Sequence, residues 1–157
     1  MTIITVTTPE GRLSREQCRR LAETLTDAVL IPEVGQHSPV ARAGLQVHFT
    51  ERALDAMAIG GKLLLDSSPR PDVMTMNVVV MDATWPATVR EAVLQRVLAA
   101  LAQACDMPRP SPTWWVTFQV IHEGSWGSRG GVLSILDLLE SGVFTSDRVA
   151  AIRKALE

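Results

Sequence analysis

Near the start of the chain, Ile4 and Val6 alternate with Thr5 and Thr7. A period of two is the signature of a β-strand resting one face on a core. The period then lengthens. Cys18, Leu21, Ala22, Leu25, Ala28 and Val29 recur at three- to four-residue spacing, with Arg15, Arg19, Arg20, Glu23 and Asp27 mostly opposite, so the pattern predicts an amphipathic helix. Ser14 and Gln17 stand before it at Ser-x-x-Gln spacing, a capping box that satisfies otherwise orphaned first-turn amides. Pro32 is expected to end the helix, because the residue preceding a proline is pushed out of helical backbone. After a loop containing Gly35 and Pro39, Leu45–Glu51 alternates again as a second strand, followed by Gly60 and Gly61.

The same order then recurs. Adding 72 carries Thr5 and Val6 onto Asn77 and Val78, Glu10 onto Asp82, Leu21 and Leu25 onto Val93 and Val97, and Glu51 onto Glu123. At the glycine pairs the step becomes 70, placing Gly60 and Gly61 on Gly130 and Gly131. A second helix is expected from Thr84 or Trp85, with Pro86 in its first turn and Val93, Leu94, Val97, Leu98, Leu101 and Ala104 as its apolar stripe. Pro108, Pro110 and Pro112 follow it, and Trp115–His122 is the last long strand. Strand–helix–strand units form parallel crossovers. The expected fold is therefore α+β: tandem β-α-β units forming a four-stranded sheet with two helices on one face. Residues 1–62 make the first unit, 73–131 the second, and 132–157 a C-terminal extension with a short helix capped by Thr145 or Ser146. The two units form a single domain, since neither has enough apolar surface to stand alone.

Composition narrows the function. A net charge of -2 over 157 residues, with both signs dispersed, offers no basic face for nucleic acid. No apolar run has the length of a bilayer span and the first residues do not form a secretion signal, so no membrane partner is expected and the default compartment is cytoplasmic. Cys18 and Cys105 fall inside helical patterns without metal or redox spacing and read as reduced core residues; no metal and no cofactor is expected. A hydrophobic content of 46% is at the high end for a soluble domain, and part of that surface is expected to be covered by another subunit. His48 and His122 lie on strands, and Glu51 and Glu123 at strand ends, where structural roles are expected. No Ser/His/Asp order, phosphate loop or dinucleotide fingerprint occurs.

Four segments carry a family resemblance: Pro9-Glu10-Gly11-Arg12-Leu13-Ser14, the strand Gln46 to Glu51, Met57-Ala58-Ile59-Gly60-Gly61, and Trp126-Gly127-Ser128-Arg129-Gly130-Gly131. In this order, from Thr2 to about Gly131, the chain resembles the fused members of the tautomerase superfamily, typified by 4-oxalocrotonate tautomerase (4-OT), with a tautomerase/MIF-like fold. The resemblance implies two β-α-β units per chain, a homotrimer, no cofactor, and an isomerase that moves a proton on a small 2-oxo or 2-hydroxydienoic acid. In that family the initiator Met is removed and the amine of the following proline is the base; Thr2 stands there in this chain. Arg12 matches the first active-site arginine, which binds and polarises the substrate, and Gln46 stands where the simple tautomerases have a second. Met57 and Trp126 match the aromatic lid in the two units. The doubled layout is also similar to cis-3-chloroacrylic acid dehalogenase, but the arginines of that enzyme fall at Met81 and Thr84, its histidine at Val29, and its tyrosine has no counterpart because the chain contains no Tyr. Thr2 and Arg12 are thus the candidate catalytic pair, with Arg12, Gln46, Met57 and Trp126 binding a small-molecule carboxylate in one pocket, partly across subunits. The alternative is a catalytically silent member acting as a ligand-binding or assembly protein.

Overall fold

The structure, a computed structural model, describes residues 1–81, 84–128 and 130–156. Strand β1 (Thr2–Pro9) buries Thr2, Ile4, Val6 and Thr8 and turns Ile3, Thr5 and Thr7 the other way. Helix α1 (Arg15–Val34) opens at the capping box, where Gln17 N–H donates to Ser14 Oγ at 3.2 Å and Ser14 N–H to Gln17 Oε1 at 2.8 Å. It does not stop at Pro32. The proline sits in the last turn, and the helix ends at Gly35, whose φ of +83° lets its N–H turn back to Ile31 O at 2.9 Å. Pro32 removes one intrahelical bond, and burial of Leu30, Glu33 and Val34 around it offsets the loss. A one-turn helix, α2 (Pro39–Arg42), capped by Ser38, occupies the stretch where the pattern predicts only loop.

Strand β2 (Leu45–Arg52) lies parallel to β1. A hairpin of β3 (Ala58–Ile59) and β4 (Lys62–Leu63) then turns through Gly60 and Gly61, both at positive φ. The order strand, helix, strand, hairpin recurs as β5 (Met74–Met81), α3 (Ala87–Ala104), β6 (Trp114–Ile121), and β7 (Trp126–Ser128) with β8 (Gly131–Leu133). Helix α3 begins after Thr84 and Trp85, with Pro86 at its N-cap, because Trp85 is buried against Phe118, ring centroids 5.7 Å apart. Helices α4 (Ile135–Leu139) and α5 (Ser146–Leu156) complete the chain, and Thr145 Oγ1 accepts from Arg148 N–H at the start of α5.

The sheet order is β2-β1-β5-β6, parallel within each outer pair and antiparallel at the centre. Both long helices pack on one face, where Ile4, Val6, Met76, Val78, Leu21, Leu25, Val93 and Val97 are buried in one core. Thr5 and Asn77, equivalent in the two units, are register partners across the central pair, so a local dyad runs between them. The second strands do not keep the step of 72. Thr2 pairs with Leu45 and Met74 with Trp114, which makes Leu45 and Trp114 equivalent, a step of 69. The counterpart of Glu51 is thus Val120, and Glu123 lies beyond the strand. Asp82, matched to Glu10 in sequence, lies outside the described residues.

The helix-free face is more polar than alternating apolar strands imply. Thr5, Thr7, Gln46, His48, Asn77 and Thr117 occupy its middle, with Ile3, Val79 and Ile121 towards one end and Trp115, 60% exposed, towards the other. No helix among the described residues is long and apolar enough to cross a membrane.

Candidate active site

The central dyad decides what meets Thr2. Antiparallel pairing puts the head of β1 beside the tail of β5, with Thr2 opposite Val80, and β6 ends alongside at Ile121. The hairpin β7–β8 follows β6 and therefore closes over the head of β1. The result is an open pocket of about 390 Å³ lined by Met1, Thr2, Ile3, Gly44, Gln46, Val79, Ile121, Ser125, Trp126, Gly127 and Ser128. That volume suits a small organic ligand. Trp126 is fixed from behind, because it pairs with Leu133 and packs on the core formed by Val34, Met81, Ile135, Leu139, Phe144 and Ile152. The C-terminal extension thus supports the pocket wall. Gln46 Oε1 lies 3.1 Å from His48 Nε2, which leaves the amide N–H groups of Gln46 for a ligand.

Beneath the pocket, on the helix side of the sheet, lies a group the sequence reading missed. Thr2 is 1% exposed, and its hydroxyl donates to Glu33 Oε2 at 3.3 Å. Glu33 is 3% exposed, and burial pushes its carboxyl up to about 7, opposed by the N-terminal amine, the Thr2 hydrogen bond and Arg148. Burial also lowers the Met1 amine, with Glu33 pulling the other way. Arg148 approaches from α5, where its Nε donates to Glu33 O at 2.7 Å and its Nη2 to Thr84 O at 3.1 Å. The sequence did hold a signal: Glu33 continues the buried stripe of Thr26, Val29 and Leu30 by one turn. Ending the helix at Pro32 hid it.

Arg12 and Met57 lie elsewhere in the chain. Thr2 and Pro9 are separated by the length of β1, roughly 23 Å at about 3.3 Å per residue, and Arg12 lies beyond Pro9. Its Nε and Nη2 donate to the two carboxylate oxygens of Asp72 at 2.6 and 2.8 Å, and its guanidinium carbon is 5.9 Å from the centre of the Trp114 ring. The hydrogen bond to Asp72 raises the pKa of Arg12 further. A groove of about 340 Å³ runs past Arg12, Leu54, Arg70 and Asp72. Met57 follows Leu54 by three residues, and its carbonyl accepts from Leu64 N–H at 2.9 Å. Thr2, Gln46 and Trp126 therefore share one pocket within the chain, and Arg12 and Met57 do not reach it.

The other candidates have structural partners. Glu51 Oε1 accepts from Gly11 N–H at 2.9 Å and fixes the turn before α1, while Glu123 Oε2 accepts from Ile135 N–H at 3.0 Å at the first turn of α4. Cys18 and Cys105 are free thiols, each raised chiefly by burial. No cluster of three or more His, Cys, Asp or Glu among the described residues is arranged to hold a metal ion. Arg129 lies outside the described residues.

No protein-family model matches the sequence, and no curated protein matches it. Solved structures do. A wild-type fused 4-OT that is a symmetric trimer superposes with a TM-score of 0.66 at 17% identity, over 85% of this chain and 96% of that one. A member of the cis-3-chloroacrylic acid dehalogenase family, N1, gives 0.69 at 15% identity over 97% and 99%. The fold is that of the fused tautomerases. A third protein of the tautomerase fold, in a form inactivated by 2-oxo-3-pentynoate, gives 0.60 at 20% identity over 87% and 98%. In this tautomerase fold the pocket lies at the head of β1, and the two-unit construction explains why a hairpin of the second unit closes it.

Proposed function

We propose that the pocket at the head of β1 binds a small 2-oxo acid, or its 2-hydroxydienoic form, and slowly moves a proton on it with the amine at the chain's head as base. The observation that carries this reading is the convergence of Met1, Thr2, Gln46 and Trp126 on one pocket, with the Met1 amine lowered by burial. Desolvation keeps such an amine unprotonated nearer neutral pH. The amine takes a proton from the carbon next to the carbonyl, and Gln46 with the Ser125 and Ser128 hydroxyls supplies donors for the oxygen that gains charge. With Met1 removed, the base is the amine of Thr2 itself. Arg12 can serve this pocket only from a neighbouring chain, so its proposed role as substrate-binding cation, and that of Met57, depends on a homotrimer. The trimeric fused 4-OT structure supports such an assembly.

A second reading has its own support. Among the described lining residues no side chain is a cation, and Arg12 is engaged by Asp72. Loss of a positive charge opposite a developing enolate costs on the order of 2 kcal/mol or more, and a threonine amine is a less rigid base than proline, so the combined deficit is about a thousandfold or larger. A protein that binds the acid without turning it over fits the same pocket. Ketonisation of phenylenolpyruvate separates the two. The chain as encoded should turn over more slowly than about 1 per second, and Thr2→Pro with Met1 removed should be faster. A rate of about 1 to 1,000 per second from the unmodified chain would overturn the assigned base. Saturable binding with no turnover in either form establishes the second reading.

A further inference from the structure

We infer that Glu33 is a positioning residue of this pocket: its buried carboxyl, joined to the pocket through the Thr2 hydroxyl, sets the charge that faces the amine at the head of β1. This inference rests on the amine being the base of the pocket. Glu33 does not line the pocket, and its carboxyl meets the Thr2 hydroxyl from the helix side, while Thr2 itself borders the ligand space. A carboxyl buried in the last turn of a helix, at 3% exposure, is expensive unless a partner compensates it. Among the described residues, the charged groups that face it are the Met1 amine just before β1 and the Arg148 guanidinium on α5. Trp85 Nε1 is buried on the same side, and its indole N–H favours the Glu33 carboxylate. An apolar side chain at 33 would have filled this space without the penalty.

The chemistry balances without another reactant. A C–H bond next to the substrate carbonyl breaks, the amine nitrogen takes the proton, and the electron pair passes to the carbonyl oxygen. The negative charge of Glu33 on the helix side of the strand favours the ammonium that results. The ammonium then gives a proton to a different carbon of the enolate, which restores the neutral amine. Burial lowers the amine and raises the carboxyl, so the state of each depends on the charge of the other.

Competitive acetylation of the N-terminal amine by acetic anhydride, read by mass spectrometry from pH 5 to 9, reports the midpoint of the amine without any turnover. Glu33→Gln removes the opposing negative charge and should lower that midpoint by about one pH unit or more. Thr2→Val, which cuts the hydroxyl contact and leaves the carboxyl, should lower it by less. With phenylenolpyruvate, Glu33→Gln should reduce kcat about tenfold or more and leave KM unchanged, because the carboxyl does not touch the ligand. An unmoved or raised midpoint in Glu33→Gln overturns the assignment, and if that variant does not fold, Thr2→Val decides by the same criterion. Absence of turnover in the unmodified protein defeats the proposed activity but leaves the midpoint as the test of Glu33.

Discussion

Glu33→Gln should stabilise the protein at alkaline pH and leave it nearly unchanged in acid. In the fold, burial raises the carboxyl from 4.5 to about 7. Below pH 4.5 the folded and unfolded chains both carry the proton and ionisation costs nothing. Between pH 4.5 and about 7 the unfolded chain ionises while the folded one resists, so stability is lost across that window and the loss is complete above it. A shift of this size is worth about 3 kcal/mol. Glutamine keeps an oxygen that accepts from the Thr2 hydroxyl and never ionises, so the variant escapes the loss. Part of the gain is returned, because the Met1 amine, lowered by burial, also loses the carboxylate that opposed that shift. The net advantage of Glu33→Gln at pH 8 over its value at pH 4.5 should be about 1 to 3 kcal/mol, and at this chain length each kcal/mol is about 2 to 4 °C in Tm. Urea and thermal unfolding of both proteins at pH 4.5, 6 and 8 measure it. An identical difference between the two proteins at all three pH values refutes the reasoning, as does a variant that is less stable at pH 8 than at pH 4.5 relative to the parent.

Arg12→Ala should lower stability by about 1 to 2 kcal/mol, since it unpairs Asp72 at a site about three-quarters buried, and should raise KM for a 2-oxo acid about tenfold if a neighbouring chain presents Arg12 to the pocket; a loss of Tm with KM intact confines Arg12 to its ion pair. Gly35→Ala should cost about 1 to 3 kcal/mol in urea unfolding, because φ is +83° and the added Cβ would meet Thr145 Oγ1 at 2.5 Å; a neutral substitution would show that the α1 terminus relaxes freely away from α5.

The periodicities alone specified the sheet and its helices. Strict alternation through Ile4 and Val6 permits only a strand with one buried face, and the Leu21–Leu25–Val29 stripe behind a Ser14–Gln17 capping box permits only an amphipathic helix packed on it. These are local properties, repeated twice, and local physics survives folding intact. What lay beyond them depended on contacts between distant segments. Pro32 signalled a helix end, but the buried positions around it carried α1 to Gly35 and placed Glu33 under Thr2. The step of 72 held through the first strands and failed in the second, because strand register follows from pairing across the sheet rather than from spacing along the chain. The five site residues were legible as residue types, yet no sequence pattern contains the dyad between Thr5 and Asn77. Once β1 and β5 pair antiparallel, the hairpin carrying Trp126 must close over Thr2, while Arg12 must sit at the far end beside Asp72.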